Sequence, residues 1–367
     1  MIVDYQTYLG FKANKVEGRY VTNVQIIEFL QNLNLDAQVK IVGHSVQERP
    51  IQSIQVGKGP HKILMWSQMH GNESTTTKAV LDLLNFLASE NAIAAKIVEK
   101  CTLGIIPILN PDGAEVYTRV NANGIDLNRD AQDQSQPESK ILREVYESFQ
   151  PDFCFNLHDQ RTIYNVGNTG KPATVSFLAP SHDVERSISK TRNISMQLIA
   201  AMNSELQEWI PGQVGRYDDG FNANCVGDTF QMLNTPTVLF EAGHYPEDYQ
   251  REKTRAYIFY ALLAALDSIS ENTVQTYSQK AYFEIPENQK LFLDIVIKNA
   301  KLIDASYTKD IGVLYTEILK EGKIFFEAKI DKVGCLEHNF GHQTYDCMNS
   351  DDLETLKKQG LWNLLKP

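Results

Sequence analysis

His70 and Glu73 stand three residues apart in MHGNES, a spacing that on a tight turn lets an imidazole and a carboxylate face one cation. A distant third histidine would complete a His₂Glu set, typical of catalytic zinc, with one position left for water. Zinc so held lowers the pKa of that water towards about 7 and makes hydroxide available at neutral pH. H-x-x-E alone says little, because eight histidines in a glutamate-rich chain produce it by chance. His158, ending the apolar run DFCFNLH, fits a satisfied rim residue as well as it fits a ligand. Glu241 closes TPTVLFE, where a carboxylate is costly unless it has a partner or a task.

These groups need elements to position them. The runs QVKIV, IQSIQV and KILMWS are rich in β-branched residues and read as strands leading to MHGNES. Beyond it Ala79, Val80, Leu83, Leu84 and Leu87 recur at helical spacing, with Ser74 as the expected N-cap. His70 to Glu73 is therefore expected on a turn between strand and helix. The alternation continues with strand TLGIIPILN to Asn110, a polar loop to Gln136, helix PESKILREVYESF, strand DFCFNLH, strand VSFLAP and a long helix. Strand TPTVLFE and the closing helix YQREKTRAYIFYALLAALDSI follow. Helices alternating with fully apolar strands predict an α/β fold: three α/β/α layers around a mixed, largely parallel central sheet. Ligands in such sheets gather outside the carboxyl ends of strands, so His70, Glu73, the loop Asn110 to Asp130, His158 and Glu241 could converge.

A chain of 367 residues exceeds the usual span of one core, and its texture changes after residue 272. The expected division is a catalytic domain over 1–272 and a small β-rich C-terminal domain over 273–367, read from AYFEI, LFLDIVI, IFFEAKI and a helical run from Asp351. A net charge of −11 without a basic run argues against nucleic acid as a partner. No apolar stretch reaches the about 18 residues of a membrane-spanning helix, so no membrane partner is expected. The N-terminal residues lack a signal peptide's basic start and apolar run. Five scattered cysteines suit a reducing compartment, and a cytoplasmic location is expected.

MHGNES, NPDGAEVYTRVNANGIDLNRD, FNLHD and VLFEAG, in that order and in those strand contexts, resemble the zinc metallocarboxypeptidase family. The compound segment NPDG, Thr118-Arg119 and Asp126-Leu127-Asn128-Arg129 is its specific part, and the resemblance spans about residues 35 to 270. It implies zinc ligands at His70, Glu73 and His158, with Asp126 hydrogen-bonding the ring of His70 to fix its tautomer. It implies Arg119 as the stabiliser of the tetrahedral oxyanion and Asn128 with Arg129 as the grip on the substrate's terminal carboxylate. Glu241 matches the general base that takes a proton from water and delivers it to the departing amine. The family's mobile tyrosine is matched only loosely by Tyr217, 24 residues before Glu241, as a cap on the substrate. By the same resemblance, Asp228 falls in the stretch, around Val226 to Asp228, that largely sets side-chain specificity in the family.

The implied activity is zinc-dependent hydrolysis of a peptide bond next to a free terminal carboxylate. A neighbouring reading is an N-acyl amino acid amidohydrolase of the succinylglutamate desuccinylase and aspartoacylase type, whose sites also look like HGNE and DLNR with a Glu-Gly motif. A non-catalytic binding module on the same fold is the reading from another class. In the tail, Cys335, His338, His342 and Cys347 have the types and spacing of a structural zinc site, weighed against a coincidence in a Gly- and Asn-containing turn, which is favoured. His244 is expected as a loop residue near enough to Glu241 to line the cleft.

Overall fold

A computed structural model describes residues 2–303, 307, 309–359 and 361–365. The strands begin β1 (Ala37–His44), β2 (Pro50–Val56), β3 (His61–Ser67), β4 (Cys101–Ile106) and β5 (Phe153–Asp159). They continue with β6 (Asn165–Val166), β7 (Val175–Leu178), β8 (Val214–Arg216) and β9 (Thr237–Ala242). All but β6 form one sheet, ordered β1-β2-β4-β3-β5-β9-β7-β8, in which β4, β3, β5 and β9 run parallel.

Strand β3 shows why the sheet carries two layers. Ile63 and Met65 belong to the core shared with the helices Thr75–Leu87, Lys190–Leu206 and Glu252–Ser270. Leu64 and Trp66 point the other way, into a second core with Ile141, Leu142 and Phe230 from the helices Pro137–Phe149 and Val226–Met232. A strand buried on both faces reads as an unbroken apolar run, which is what ILMW, residues 63–66, is. The expected α/β/α layering is therefore present.

Three local expectations differ. The strand expected to reach Asn110 stops at Ile106, and Asn110 caps a short helix, Pro111–Val116, by accepting the Gly113 N–H at 2.8 Å. Proline in the first turn, after an Asn cap, starts helices well. AYFEI, expected as a strand, falls largely in the helix Gln279–Phe283, capped by Ser278. Val274, Tyr282 and Ile285 all pack in the main core, although they follow residue 272.

A separate sheet begins at β11. After β10 (Asn288–Gln289), which pairs with β6, come β11 (Phe292–Lys298), β12 (Asp310–Lys320), β13 (Lys323–Gly334) and β14 (Phe340–Asp346), in the order β13-β12-β11-β14. Ile295, Ile297, Ile311, Val313, Cys347 and Leu356 form its own apolar cluster. The β12–β13 hairpin turns at Glu321 (φ 50°) and Gly322 (φ 71°). Two positive φ values in a two-residue loop match the right-handed strand twist and favour glycine.

Candidate active site

The turn carrying His70 and Glu73 exists because two loops meet backbone on backbone. A Cβ at Gly71 would lie 1.9 Å from the carbonyl carbon of Gly113, so HGNE and NPDG need a glycine at their contact. Ser74 stands at the N-cap of the helix after Glu73, as expected, but its side chain makes no capping bond; Ser74 Oγ donates to the Arg19 carbonyl at 2.6 Å. Asp159, next to His158, accepts the Thr75 and Thr76 N–H groups at 2.9 and 3.3 Å instead. A tertiary carboxylate thus does the work of a cap and ties the segment of His70 and Glu73 to that of His158.

Parallel pairing of β5 with β9 sets His158 opposite Glu241 in register. His158 Nδ1 lies 2.8 Å from Glu73 Oε2 and 3.1 Å from His70 Nδ1, and His70 Nδ1 lies 2.9 Å from Glu73 Oε1. Among the described residues, these three form the one group able to hold a metal. His70 Nε2 stands 3.0 Å from Asp126 Oδ1; with the proton on Nε2, the Nδ1 lone pair faces the other donors. Electron pairs facing one another repel unless a cation or proton sits between them. The set, two imidazoles and a carboxylate, fits zinc.

Burial pushes Glu73 up, but His70 and His158 outweigh it and hold this carboxyl well below the usual carboxylate range. Burial likewise pushes the His158 pKa down, which favours the neutral imidazole that binds metal. Asp126 grips Arg119 through Oδ2, at 3.1 Å to Nε and 3.0 Å to Nη2, and Arg119 Nη1 reaches Glu73 Oε1 at 3.2 Å. Replacing Asp126 by asparagine is expected to weaken zinc binding by about 10- to 100-fold, read by competition with a chelating dye.

Glu241 lines the same cavity, of about 720 Å³. Its Oε2 is buried without a hydrogen-bond partner among the described residues. Burial first, then the charges of Glu73 and Asp159, push its pKa well above the carboxylate range. Arg119 is half exposed at 48% and borders the cavity, as do Asn128 and Arg129. Asn128 Oδ1 accepts the Val226 N–H at 3.1 Å, and Arg129 donates to the Asn128 carbonyl at 2.7 Å. Tyr217 also lines the cavity, its ring 5.3 Å from that of Tyr164.

Sequence reasoning assigned no role to Asn156, although it precedes His158 by two and so shares its face of β5. Both its amide atoms are buried without partners among the described residues, at the cavity wall. Asp228, also at the wall, is pushed up to about 6 by burial. Arg19, Tyr315, Glu317 and Phe326 line the cavity too, and no local motif marked them.

One expectation needs correcting, and the tail cluster can be placed. His244 lies in the loop after β9, as expected, but it is buried away from the cavity lining, 4.6 Å from the ring of Tyr249 and 4.2 Å from that of His342. The four tail residues do not converge on a metal. Cys335 and His338 are exposed, Cys347 sits in the apolar cluster, and His342 stacks on Phe292 at 4.3 Å.

Residues 26–229, more than half of the chain, match the zinc carboxypeptidase family (Peptidase M14), and the chain belongs to it. Glu241 and the C-terminal sheet lie beyond the matched stretch. Carboxypeptidase 2 of Trichophyton tonsurans is 33% identical over 101 residues, 27% of this chain and 19% of that relative. Carboxypeptidase D of Mus musculus is 30% identical over 150 residues, 34% of this chain and 11% of that relative. The chain thus spans about a fifth or less of these relatives' lengths. A metallo-carboxypeptidase from Burkholderia cenocepacia shares the fold, with a TM-score of 0.55 over 69% of this chain and 70% of that one at 18% identity. Carboxypeptidase A from Helicoverpa armigera follows at 0.53, over 73% and 79%, at 15% identity.

Proposed function

We propose that the protein is a zinc-dependent carboxypeptidase, hydrolysing the peptide bond next to a free terminal carboxylate. One observation carries this reading: the His70, Glu73 and His158 donors, the unpartnered Glu241 carboxylate and the Arg119, Asn128 and Arg129 side chains border one cavity. Zinc, when bound by the three donors, would supply Lewis-acid polarisation and lower the pKa of a water.

The chain's own groups do the rest. Asn128 and Arg129 hold the substrate carboxylate, a task for which a planar guanidinium offers parallel donors. Arg119, already turned towards Glu73, meets the negative charge that develops on the carbonyl oxygen. Glu241 takes one proton from the attacking water while its oxygen bonds to the carbonyl carbon. The C–N bond then breaks, and Glu241 returns that proton to the leaving nitrogen. Tyr217 covers the bound residue. Asn156 and Asp228 make the wall polar, so C-terminal residues with donor side chains are expected to be preferred.

Arg129→Ala is expected to raise KM by about 10- to 100-fold, the worth of a charge-assisted hydrogen bond, with a smaller effect on kcat. Steady-state kinetics on any cleaved peptide would show it. The function itself is tested with dipeptides and N-acyl amino acids, each with and without a chelator. Chelator-sensitive cleavage of the dipeptides supports the proposal; cleavage of N-acyl amino acids alone replaces it with the amidohydrolase reading. A cytoplasmic location belongs to the same proposal, supported by cysteines that are free throughout.

A further inference from the structure

The wall of the active-site cavity is not built by the catalytic sheet alone. Tyr315, Thr316 and Glu317 of β12 and Phe326 of β13 border the same space as His70, Glu73 and Glu241. Tyr315 and Glu317, two apart on one strand, share a face, and Phe326 pairs directly with Glu317 across the hairpin. One face of the β12–β13 hairpin is therefore turned to the site.

That face is anchored at several points. Glu317 pairs with Arg19 Nη1 at 3.0 Å and accepts the Tyr117 O–H. Asp294 accepts the Tyr249 O–H at 2.9 Å and the Tyr315 N–H at 2.8 Å. The Phe326 and Tyr315 rings lie 5.3 and 5.2 Å from that of Tyr249. Behind them, the Phe292 N–H and His342 Nε2–H donate to the Ile163 and Thr162 carbonyls at 3.1 and 2.8 Å. Arg19 is only 5% exposed. A buried ion pair adds little net stability, and its best-attested use is to fix placement.

The anchors also locate the hairpin along the cleft. Asn128 and Arg129 stand beside Val226 and Cys225, whereas the hairpin is tied to Arg19, Tyr117 and Tyr249. The residues assigned to the substrate carboxylate and the hairpin thus belong to different parts of the cavity lining, held by different partners. Its volume, about 720 Å³, falls within the about 300–1,000 Å³ that encloses a small molecule. An extended chain needs about 3.3–3.6 Å more for each added residue, so a wall contributed by the hairpin limits how many residues the cavity can take.

We propose that the C-terminal sheet is a length selector: Tyr315 and Phe326 close the amino-terminal side of the cleft and restrict the substrate to short peptides. This rests on the carboxypeptidase reading above, and it assigns the C-terminal sheet a role in substrate choice. The selection is steric, since Glu317 and Asp294 are already engaged within the protein.

A ladder of peptides from dipeptide to decapeptide, sharing one C-terminal pair, tests it. In the wild type, kcat/KM is expected to fall by about tenfold or more from the shortest members to the longest. Phe326→Ala, and the milder Phe326→Leu should the first not fold, are expected to raise the long-to-short ratio several-fold. Binding of the same ladder to Glu241→Gln protein is measured in parallel by calorimetry. Equal handling of long and short peptides by the wild type overturns the selector. Short peptides bound more tightly but never cleaved would keep the selector and remove the peptidase reading. No binding at any length overturns both.

Discussion

Replacing Glu241 by glutamine is expected to lower kcat by about 10²- to 10⁴-fold, the usual contribution of a general base, while zinc content stays unchanged. Glutamine keeps the shape and the polar oxygen but accepts no proton at neutral pH. Glu241 is paired in register with His158, yet it is outside the donor group formed by His70, Glu73 and His158, so the metal does not depend on it. Its Oε2 has no partner among the described residues that the exchange would orphan, so the fold should tolerate the change. KM should move little, because the proposed carboxylate grip is assigned to Asn128 and Arg129 and not to Glu241. Steady-state kinetics and metal analysis on the same preparation check both halves. Near wild-type turnover would refute the assignment of the base.

His158→Ala acts on the metal itself. It removes one of three donors and leaves His70 and Glu73, too few for the three protein ligands of a catalytic zinc site. The loss of zinc affinity should exceed the about 10- to 100-fold caused by removing an outer hydrogen-bond partner such as Asp126. Turnover should fall to background and stay there when zinc is added, whereas chelated wild type should recover on zinc addition. Wild-type protein should hold about one zinc per chain, since the four tail residues do not converge. A metal-free protein with full activity would contradict the site.

The convergence of the candidate residues was legible in the sequence wherever they sit in short segments at strand ends. MHGNES, FNLH and VLFE each close an apolar run, and a parallel sheet brings such ends to one edge. Arg119, Asp126, Asn128 and Arg129 sit in one loop, so their closeness to His70 follows once NPDG is seen to turn against HGNE. Gly71 and Gly113 show the reason for that contact, since a side chain at Gly71 would collide with the Gly113 backbone.

Other features had no local signature. AYFEI alternates like a strand, yet Ser278 caps it as a helix and Tyr282 finds its place in the main core. Ser74 has the residue type of a cap, yet Asp159, 84 residues from Thr75, takes the N–H groups. The close spacing of Cys335, His338, His342 and Cys347 left a metal site open beside the favoured coincidence, and only the fold shows Cys347 in an apolar cluster and His342 on Phe292.

By itself, then, the sequence determined the layering, the strand ends that carry His70, Glu73, His158 and Glu241, and the loop that supplies Arg119 to Arg129. Those depend on hydrophobic period and short-range spacing, which are written into consecutive residues. Only the tertiary structure decided that the C-terminal hairpin walls the cavity, through contacts such as Arg19 with Glu317, separated by 298 positions. Such a pairing is chosen by the competition of all surfaces for burial and partners, and no local pattern encodes which surface wins.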